Sequence, residues 1–363
     1  MTQKKKRIGV LTSGGDCAGL NAVIRAVVHR AIHGYGWDVI GIHQGTHGLM
    51  ERPLNYEELT LKLFTGNILR MGGTILGTTN KGNPFNFPLE DGAMVDRSME
   101  IIEGIRELKL DALVGIGGDG SMKILSRLSE LGKFQFIGVP KTIDNDVAFT
   151  EFSVGFTTAV NTAVDALDRL QPTAASHDRV MILEVMGRDA GHIALHSGIA
   201  GGADVILIPE IPVDMEVVAN KIREIQAEGR CHSLVVVSEA VKDEKGLKVT
   251  QGNQGEMIRY GGVGHVIGTR LHEMTGAETR VTVLGHVQRG GVPSMRDRVI
   301  ASAFGVRAVD LIAEGKSDRM VAWQHREVVD VPLEEVVIRY SDVDTTGTLV
   351  ETARGLGICL GDE

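Results

Sequence analysis

Short, continuous apolar runs rich in valine and isoleucine recur along this chain, and they constrain its fold most strongly. These runs are RIGVLTS (7–13), DALVGIGG (111–118), FQFIGVP (134–140), RVMILEVM (179–186), DVILIP (204–209), SLVVVSEA (233–240) and TRVTVLGH (279–286). A strand buried on one face alternates apolar and polar residues, whereas a strand buried on both faces is apolar throughout. Most of these runs therefore predict strands of a parallel sheet that is covered on both faces.

Helical patterns lie between the predicted strands. Residues 20–32 repeat apolar side chains at the i, i+3, i+4 spacing of a helix. Residues 214–229 begin with Asp214 as a predicted N-cap and end at Gly229. Strands that alternate with helices form βαβ units, so we predict a doubly wound α/β fold. The glycine-rich stretch 243–264 interrupts this alternation, and we interpret it as a mobile surface excursion.

Composition and charge narrow the class of protein. The 363 residues are 43% hydrophobic and suffice for two domains, with a break near residue 155. The formal net charge of −9 argues against general nucleic-acid binding. Three widely spaced cysteines predict a reducing compartment and no zinc site. Because we find neither a signal peptide nor an apolar run of membrane-spanning length, we predict a cytoplasmic protein.

Two predicted strands end in glycine-rich loops that precede helices. The first loop is TSGGDCAGLN (12–21) and the second lies in GIGGDGSMKIL (115–125). Glycines let the backbone approach a ligand closely, and a helix N-terminus favours an anion, so both loops predict phosphate sites. The alternative is that the glycines only permit tight turns. Asp119 in the second loop is a candidate Mg²⁺ ligand or, alternatively, a helix N-cap.

A third loop, VPKTIDND (139–146), places Asp144 and Asp146 behind Lys141 at the end of another predicted strand. In open α/β sheets, ligands bind at the carboxyl ends of the strands. The three loops therefore predict one crevice. Arg179, Arg188, Arg280 and Arg289 lie near the ends of later strands with His286, and arginine matches phosphate oxygens bidentately, so we predict a second phosphate site.

Taken together, the motifs have a specific order and spacing. They are GVLTSGGD…GLNAVIR, GIGGDGS, PKTIDND, EVMGRDAGH and LGHVQRGG. This set resembles the bacterial-type 6-phosphofructokinases (the phosphofructokinase A family) from about residue 7 to about residue 315. The resemblance implies transfer of the γ-phosphoryl group of ATP, with Mg²⁺, to the 1-hydroxyl group of fructose 6-phosphate in glycolysis. It implies two Rossmann-like domains, each a mostly parallel sheet flanked by helices, with the active site in the cleft between them.

The expected domains are a nucleotide-binding domain at 1–155, rejoined at about 288–335, and a sugar-phosphate-binding domain at 156–287, joined by about 336–363. Asp144 matches the family's general base, Thr142 a contact to the moving phosphoryl group, and Arg188 the cation that stabilises its charge. Asp119 and Asp146 match the metal side. The nucleotide side is matched by Gly15, Asn80, Lys81, Gly118, Asp119, Gly120 and Ser121. The sugar side is matched by Thr142, Ile143, Asp144, Arg179, Met186, Gly187, Arg188, Glu239, Arg280, His286, Val287, Gln288 and Arg289.

Arg179 and Arg280 match arginines that reach the sugar 6-phosphate from a neighbouring subunit, which implies a homotetramer, or a homodimer, with shared sites. Gly120 and Lys141 bear on the phosphoryl donor. Many ATP-using relatives have glycine at position 141, whereas pyrophosphate-using relatives have a lysine there but aspartate at position 120. The signature is therefore mixed. We give Gly120 more weight, because a side chain there would fill the space of the nucleotide α-phosphate.

Three alternatives and one regulatory hypothesis accompany this prediction. The same-fold alternative is a pyrophosphate-dependent fructose 6-phosphate 1-phosphotransferase. A sugar-phosphate sensor without turnover would require the loss of Asp144, Asp119 or Arg188, and all three are present. A dehydrogenase is disfavoured because the first loop lacks GxGxxG. Since Arg25 is retained but His29, Gln171 and Cys231 replace basic positions of the family's effector site, we expect weak or absent activation by ADP and inhibition by phosphoenolpyruvate.

Overall fold

The computed structural model describes residues 5–80, 82–89, 91–242, 246–254 and 257–362. The chain divides into two compact units. Unit 1 comprises Met1–Thr142, Asp146–Thr157 and Arg289–Tyr340, and unit 2 comprises Ile143–Asn145, Thr158–Gln288 and Ser341–Glu363. The domain boundaries expected from the sequence, and the placement of the site in a cleft, stay predictions.

Sixteen strands and eleven α-helices are formed by the described residues. The strands are β1 (Arg7–Thr12), β2 (Asp38–Ile42), β3 (Tyr56–Glu58), β4 (Phe87–Pro88), β5 (Met94–Val95), β6 (Ala112–Gly117), β7 (Gln135–Thr142), β8 (Val154–Gly155), β9 (Val180–Val185), β10 (Val205–Leu207), β11 (Ser233–Ser238), β12 (Thr250–Gln254), β13 (Met257–Tyr260), β14 (Thr279–Val283), β15 (Arg319–Gln324) and β16 (Glu327–Pro332). The helices are α1 (Leu20–His29), α2 (His47–Met50), α3 (Ser98–Glu107), α4 (Asp119–Gly132), α5 (Phe156–His177), α6 (His192–Ala200), α7 (Met215–Ala227), α8 (Val263–Thr275), α9 (Met295–Ala313), α10 (Leu333–Val336) and α11 (Thr348–Gly355).

Unit 1 contains an eight-stranded sheet with the order β16-β15-β7-β6-β1-β2-β3, in which β8 also pairs with β7. The pairs from β15 to β2 are parallel, and β3 and β16 pair in antiparallel fashion at the two edges. The central strands β6 and β7 are buried almost throughout. Since β2 and β6 lie on opposite sides of β1, the chain reverses direction across the sheet there, and such a switch point is where open α/β sheets bind ligands.

Unit 2 contains a four-stranded, fully parallel sheet with the order β10-β11-β9-β14. Strands β9, β10 and β11 are buried along their whole length, whereas β14 is a partly exposed edge strand. Parallel sheets of this kind are buried on both faces, which accounts for the unbroken apolar runs. Helix α7 begins after Asp214, whose side chain accepts a 2.8 Å hydrogen bond from the Glu216 amide as predicted.

All seven predicted apolar runs lie on strands, namely β1, β6, β7, β9, β10, β11 and β14, and the α/β fold class is confirmed. The helix predicted over residues 20–32 is α-helical to His29 and continues as a π-helical turn over Arg30–Gly34. Within 243–264, Thr250–Gln254 and Met257–Tyr260 form the antiparallel pair β12–β13, and α8 begins at Val263. Residues 243–245, 255 and 256 lie outside the described part, and the mobility of this stretch stays a prediction. The model contains no described helix that is both long and apolar enough to cross a membrane.

Candidate active site

The first loop leaves β1 at the centre of the eight-stranded sheet and is tied to its neighbours by backbone hydrogen bonds. The amide of Ser13 donates to the carbonyl oxygen of Ile116 over 2.9 Å, and the amide of Gly14 donates to the carbonyl oxygen of Thr79 over 2.9 Å. The loop therefore starts as a continuation of the β1–β6 pairing and also contacts the segment that contains Thr79.

Side-chain donors hold the carbonyl oxygens of four consecutive residues in this loop. Lys141 Nζ donates to the carbonyl oxygen of Ser13 over 2.9 Å and also to that of Gly15. Thr78 Oγ1 donates to the carbonyl oxygen of Gly14 over 2.7 Å. The guanidinium group of Arg289 donates to the carbonyl oxygen at position 16 over 3.2 Å. The conformation of this loop is thus fixed from the carbonyl side.

Two glycines of this loop are needed for different physical reasons. Gly14 has a φ of 82°, in the left-handed region that side-chain-bearing residues rarely adopt. A Cβ atom on Gly15 would lie 2.8 Å from Nη1 of Arg289. Gly14 therefore permits the turn, and Gly15 lets Arg289 approach the loop.

The second loop, between β6 and α4, lies beside the first. Ser121 Oγ donates to Ser13 Oγ over 3.0 Å. Gly118 occupies the N-cap position of α4 without a side-chain cap, so Asp119 is the first residue of the helix rather than its N-cap. A Cβ atom on Gly120 would meet nothing within 4 Å. The space beyond Gly120 is therefore open at the positive end of a helix dipole, as an anion site requires.

The third loop follows β7 and carries buried charges. Lys141, Asp144 and Asp146 are only 3%, 6% and 2% exposed. Asn145 has a φ of 54°, a conformation that asparagine tolerates better than most residues. Because β7, β6 and β1 are adjacent, the loops after them form one edge. We call residues 13–16, 118–121 and 141–142 the unit 1 edge.

In unit 2 the carboxyl ends of β9, β11 and β14 also carry predicted site residues, and these strands are adjacent in the sheet. The amide of Met186 donates to Gln288 Oε1 over 2.8 Å, which ties the end of β9 to the 3₁₀ turn Gly285–Arg289 after β14. The amide of Arg188 donates to Glu239 Oε1 over 3.2 Å, which ties the same loop to the end of β11. We call residues 186–188, 239 and 284–288 the unit 2 edge.

At the unit 2 edge, burial and a neighbouring carboxylate shift the ionisation of Glu239. The pKa of Glu239 is raised from 4.5 to about 7, first by burial and second by the negative charge of Asp144. Hydrogen bonds from the backbone of Gly187 and Arg188 oppose this rise in pKa. Arg188 itself has a φ of 53°, and strained backbone of this kind clusters at functional sites.

Arg179 and Arg280 lie at the opposite end of the unit 2 sheet from this edge. Arg179 immediately precedes β9 and pairs with Glu278 over 3.0 Å, and Arg280 near the start of β14 also pairs with Glu278. Met186 and Arg188 follow the other end of β9. A six-residue strand spans about 20 Å, so these arginines and the unit 2 edge of the same chain do not meet at one ligand.

The remaining predicted residues have a mixed placement. Ile143 is buried and Gln288 is 1% exposed, whereas Val287 is 67% exposed and His286 and Asn80 are also exposed. Lys81, predicted on the nucleotide side, lies outside the described residues. Among the described residues, no group of three or more His, Cys, Asp or Glu side chains is arranged to hold a metal ion by itself.

Several contacts at these edges involve residues that the sequence patterns do not single out. Ser13 Oγ accepts a hydrogen bond from Ser121 Oγ of the second loop, and Thr78 Oγ1 donates a hydrogen bond to the Gly14 carbonyl oxygen of the first loop. Lys248, in the glycine-rich stretch, forms an ion pair with Asp189, the residue after Arg188. Thr78 belongs to the TTNKG stretch (78–82), which also contains Asn80 and Lys81 of the predicted nucleotide side. This neighbourhood is the one feature of the sequence that could have indicated Thr78. Nothing in the local sequence around Lys248 indicates its partner.

Glycine loops at helix N-termini, gathered with buried carboxylates at the carboxyl edge of a parallel sheet, define a phosphate-binding α/β protein of the doubly wound class. Residues 7–312 match the family model described as phosphofructokinase. The chain is 62% identical over 361 residues to ATP-dependent 6-phosphofructokinase 1 of Synechocystis, with 99% of each chain covered. It is 58% identical over 359 residues to ATP-dependent 6-phosphofructokinase 1 of Nostoc, again with 99% of each chain covered.

A solved structure agrees with these matches. The phosphofructokinase of Pichia pastoris in the T-state superposes with a TM-score of 0.80 at 30% sequence identity, over 98% of this chain and 37% of that longer chain. This chain belongs to the phosphofructokinase family. The predicted family is thereby confirmed, while the role of each site residue stays a prediction.

Proposed function

We propose that this chain transfers the γ-phosphoryl group of ATP to the 1-hydroxyl group of fructose 6-phosphate, giving fructose 1,6-bisphosphate and ADP, a reaction of glycolysis. The relatives that are 62% and 58% identical over nearly the whole chain are named ATP-dependent 6-phosphofructokinases. The observation that carries the proposal is the unit 1 edge, where the loops after β1, β6 and β7 meet with glycines, a helix N-terminus and buried charge.

In this proposal the unit 1 edge binds the phosphates of the donor. Gly15, Gly118, Gly120 and Ser121 present backbone or a small side chain, so phosphate oxygens can approach closely. The open space beyond Gly120 leaves room for the nucleotide α-phosphate. An acidic side chain at position 120 would occupy that space and repel it.

Acceptor chemistry is assigned to Asp144, Arg188 and the unit 2 edge. Asp144 takes the proton from the 1-hydroxyl group as that oxygen attacks the γ-phosphorus, and Arg188 stabilises the charge on the moving phosphoryl group together with Thr142. The raised pKa of Glu239, about 7, leaves it substantially protonated at neutral pH, so it repels the Asp144 carboxylate less than an ionised acid would. We assign Glu239, Met186 and His286 to the sugar.

The donor set fits Mg²⁺ when nucleotide phosphates complete it. Mg²⁺ takes one or two carboxylates together with phosphate oxygens and water, rather than a cage made of protein ligands alone. Asp119 and Asp146 would hold the ion. When bound, it would neutralise charge on the donor phosphates.

We also propose that the protein works in the cytoplasm as a homo-oligomer with shared sites. Arg179 and Arg280 lie about 20 Å from the unit 2 edge of their own chain, as the length of β9 requires. A second copy could bring them to the 6-phosphate of the sugar. Helix α9 supplies exposed apolar side chains for self-association, since Met295 is 77% and Val299 is 54% exposed.

Lys141 raised the alternative of a pyrophosphate-dependent phosphotransferase in the sequence, and the names of the relatives with 62% and 58% identity favour ATP over it. The test supplies fructose 6-phosphate and Mg²⁺ with either ATP or pyrophosphate and compares kcat/KM for the two donors. We expect ATP to be the better donor and ADP to appear in equal amount with fructose 1,6-bisphosphate. Turnover with pyrophosphate alone would replace ATP as the donor, and no turnover with either would remove the proposed function.

A further inference from the structure

Lys141 is the residue that leaves the donor open in the sequence, and its contacts suggest a different role from direct phosphate binding. We propose that Lys141 is a positioning residue for the donor phosphates, acting through the first loop by holding the carbonyl oxygens of Ser13 and Gly15. This inference rests on the proposed function, because it assigns to Lys141 the role of shaping the unit 1 edge so that this edge can bind the donor phosphates.

The burial of Lys141 requires polar partners for its ammonium group. Lys141 is 3% exposed, and an ammonium group taken out of water is costly unless polar groups surround it. Its Nζ donates to the carbonyl oxygens of Ser13 and Gly15, two residues of the same turn. Hydrogen bonds from a charged donor are stronger than neutral ones, so a single side chain bridges the turn firmly.

Peptide planarity turns these carbonyl contacts into an orientation of amide groups. In a trans peptide the carbonyl oxygen and the following N–H group point in opposite directions. Holding the carbonyl oxygen of Gly15 therefore directs the N–H group of Asp16 away from Lys141. The Thr78 hydroxyl, bonded to the carbonyl oxygen of Gly14, directs the N–H group of Gly15 away from Thr78 in the same manner.

These two amides are available to a ligand. In the part of the chain that the structure describes, neither the Gly15 nor the Asp16 amide donates a hydrogen bond to another protein group. Successive backbone N–H groups in a turn with a left-handed residue form an anion-binding concavity, and Gly14 supplies that residue with its φ of 82°. Lys141 and Thr78 together fix this concavity through the carbonyl oxygens on the side of the loop opposite to these two amides.

The thiol of Cys17 lies near Lys141. This thiol is fully buried, and burial raises its pKa to about 12, so no thiolate forms there at neutral pH. Since this role concerns the shape of the loop and not the length of the phosphate chain, Lys141 is compatible with ATP, and discrimination between donors is left to Gly120.

The test separates KM for ATP from kcat in Lys141→Met, which removes the charge at similar volume. Loss of the charged bridge should raise KM for ATP roughly 10- to 100-fold, while kcat and KM for fructose 6-phosphate change less than about threefold. Lys62→Met, which removes an exposed lysine of unit 1, is the matched control and should behave like the wild type. A fall in kcat with KM for ATP unchanged would instead place Lys141 on the moving phosphoryl group and overturn the inference.

A second variant keeps the test decisive if the buried substitution prevents folding. Thr78→Val removes the neighbouring carbonyl donor without changing volume, and it should raise KM for ATP roughly 2- to 10-fold. An unchanged KM for ATP in Thr78→Val would contradict the positioning role of these carbonyl donors. Wild-type turnover with ATP is measured first, so that failure of the proposed function is distinguished from failure of the role of Lys141.

Discussion

The two edges of the molecule use the same position in a parallel sheet but present different groups there. The unit 1 edge offers mainly backbone and glycine, and its carbonyl oxygens are fixed by Lys141, Thr78 and Arg289. The unit 2 edge offers side chains, and its loop after β9 is held by Glu239 and by the partly exposed Lys248–Asp189 pair. Lys141 is 3% exposed, whereas the Lys248 and Asp189 side chains are 30% and 44% exposed.

This difference matches the chemistry assigned to each edge. Phosphate oxygens need closely spaced N–H donors, which a rigid turn provides best and which a Cβ atom would obstruct. A sugar needs directional hydrogen bonds to several hydroxyl groups, which side chains provide. Rigidity built from buried groups should be costly to disturb, whereas an exposed ion pair contributes little. The predictions below test this contrast from the largest expected effect to the smallest.

The largest effect is expected at Asp144. Asp144→Asn keeps the shape of the side chain but removes its ability to accept a proton, so kcat should fall roughly 10²- to 10⁴-fold while substrate binding persists. Steady-state kinetics and a separate measurement of fructose 6-phosphate binding provide the check. Near-normal turnover would remove Asp144 from the role of general base.

At the unit 1 edge, Gly120→Asp should lower kcat/KM for ATP by about 10²- to 10³-fold. The new carboxylate would extend into the open space beyond Gly120 and repel the phosphates, and like charges in contact cost several kcal/mol. Gly120→Ala separates size from charge and should lose far less. Equal losses in the two variants would show that the shape of the loop, rather than the space beyond it, sets the affinity for ATP.

At the unit 2 edge, Glu239 should make stability depend on pH. Because its folded-state pKa is raised from 4.5 to about 7, the folded protein binds an extra proton between these values, and stability falls as pH rises from about 4.5 to 7. Glu239→Gln lacks this dependence. The free energy of unfolding of the variant minus that of the wild type should therefore increase by roughly 1–3 kcal/mol as pH rises over this range. Urea unfolding at pH 5 and pH 8 measures the difference, and parallel pH profiles would contradict it.

The smallest effect is expected from Lys248→Met. Lys248 contacts Asp189 and lies 5.0 Å from the centre of the Tyr260 ring, so it steadies the residue that follows Arg188. Exposed pairs contribute about 0.2–1 kcal/mol, and we expect kcat to fall only about two- to fivefold. Lys221→Met, which breaks the Lys221–Glu224 pair on α7, is the control. A loss of kcat/KM in Lys248→Met as large as the loss of kcat/KM for ATP in Lys141→Met would remove the contrast between the edges.

Much of the fold could be predicted because its signal is local. Continuous apolar runs mark β6, β7 and β9, and glycine loops mark the ends of β1 and β6. Strands β2, β15 and β16 were not predicted. β15 and β16 are only partly buried, so they lack the continuous apolar sequence that marks the central strands. The pair β12–β13 lies in a stretch whose glycines indicate a loop.

Site residues were predictable where a motif contains them and not where a long-range contact defines them. Asp144 and Gly120 lie inside recognisable stretches. The bond between Lys141 and Ser13 joins residues far apart in sequence, and so does the bond between Arg289 and residue 16, so no local pattern encodes them. The ion pair of Lys248 with Asp189 has the same origin, since the partner of a surface lysine depends on how distant segments pack.

The most direct test of the division between the two edges is a crystal structure of the protein with Mg²⁺ and a non-hydrolysable ATP analogue. We expect phosphate oxygens of the analogue within hydrogen-bond distance of the Gly15 and Asp16 amides, with Lys141 still bonded to the carbonyl oxygens of Ser13 and Gly15. Phosphates bound directly by Lys141, or bound at the unit 2 edge instead, would contradict this assignment.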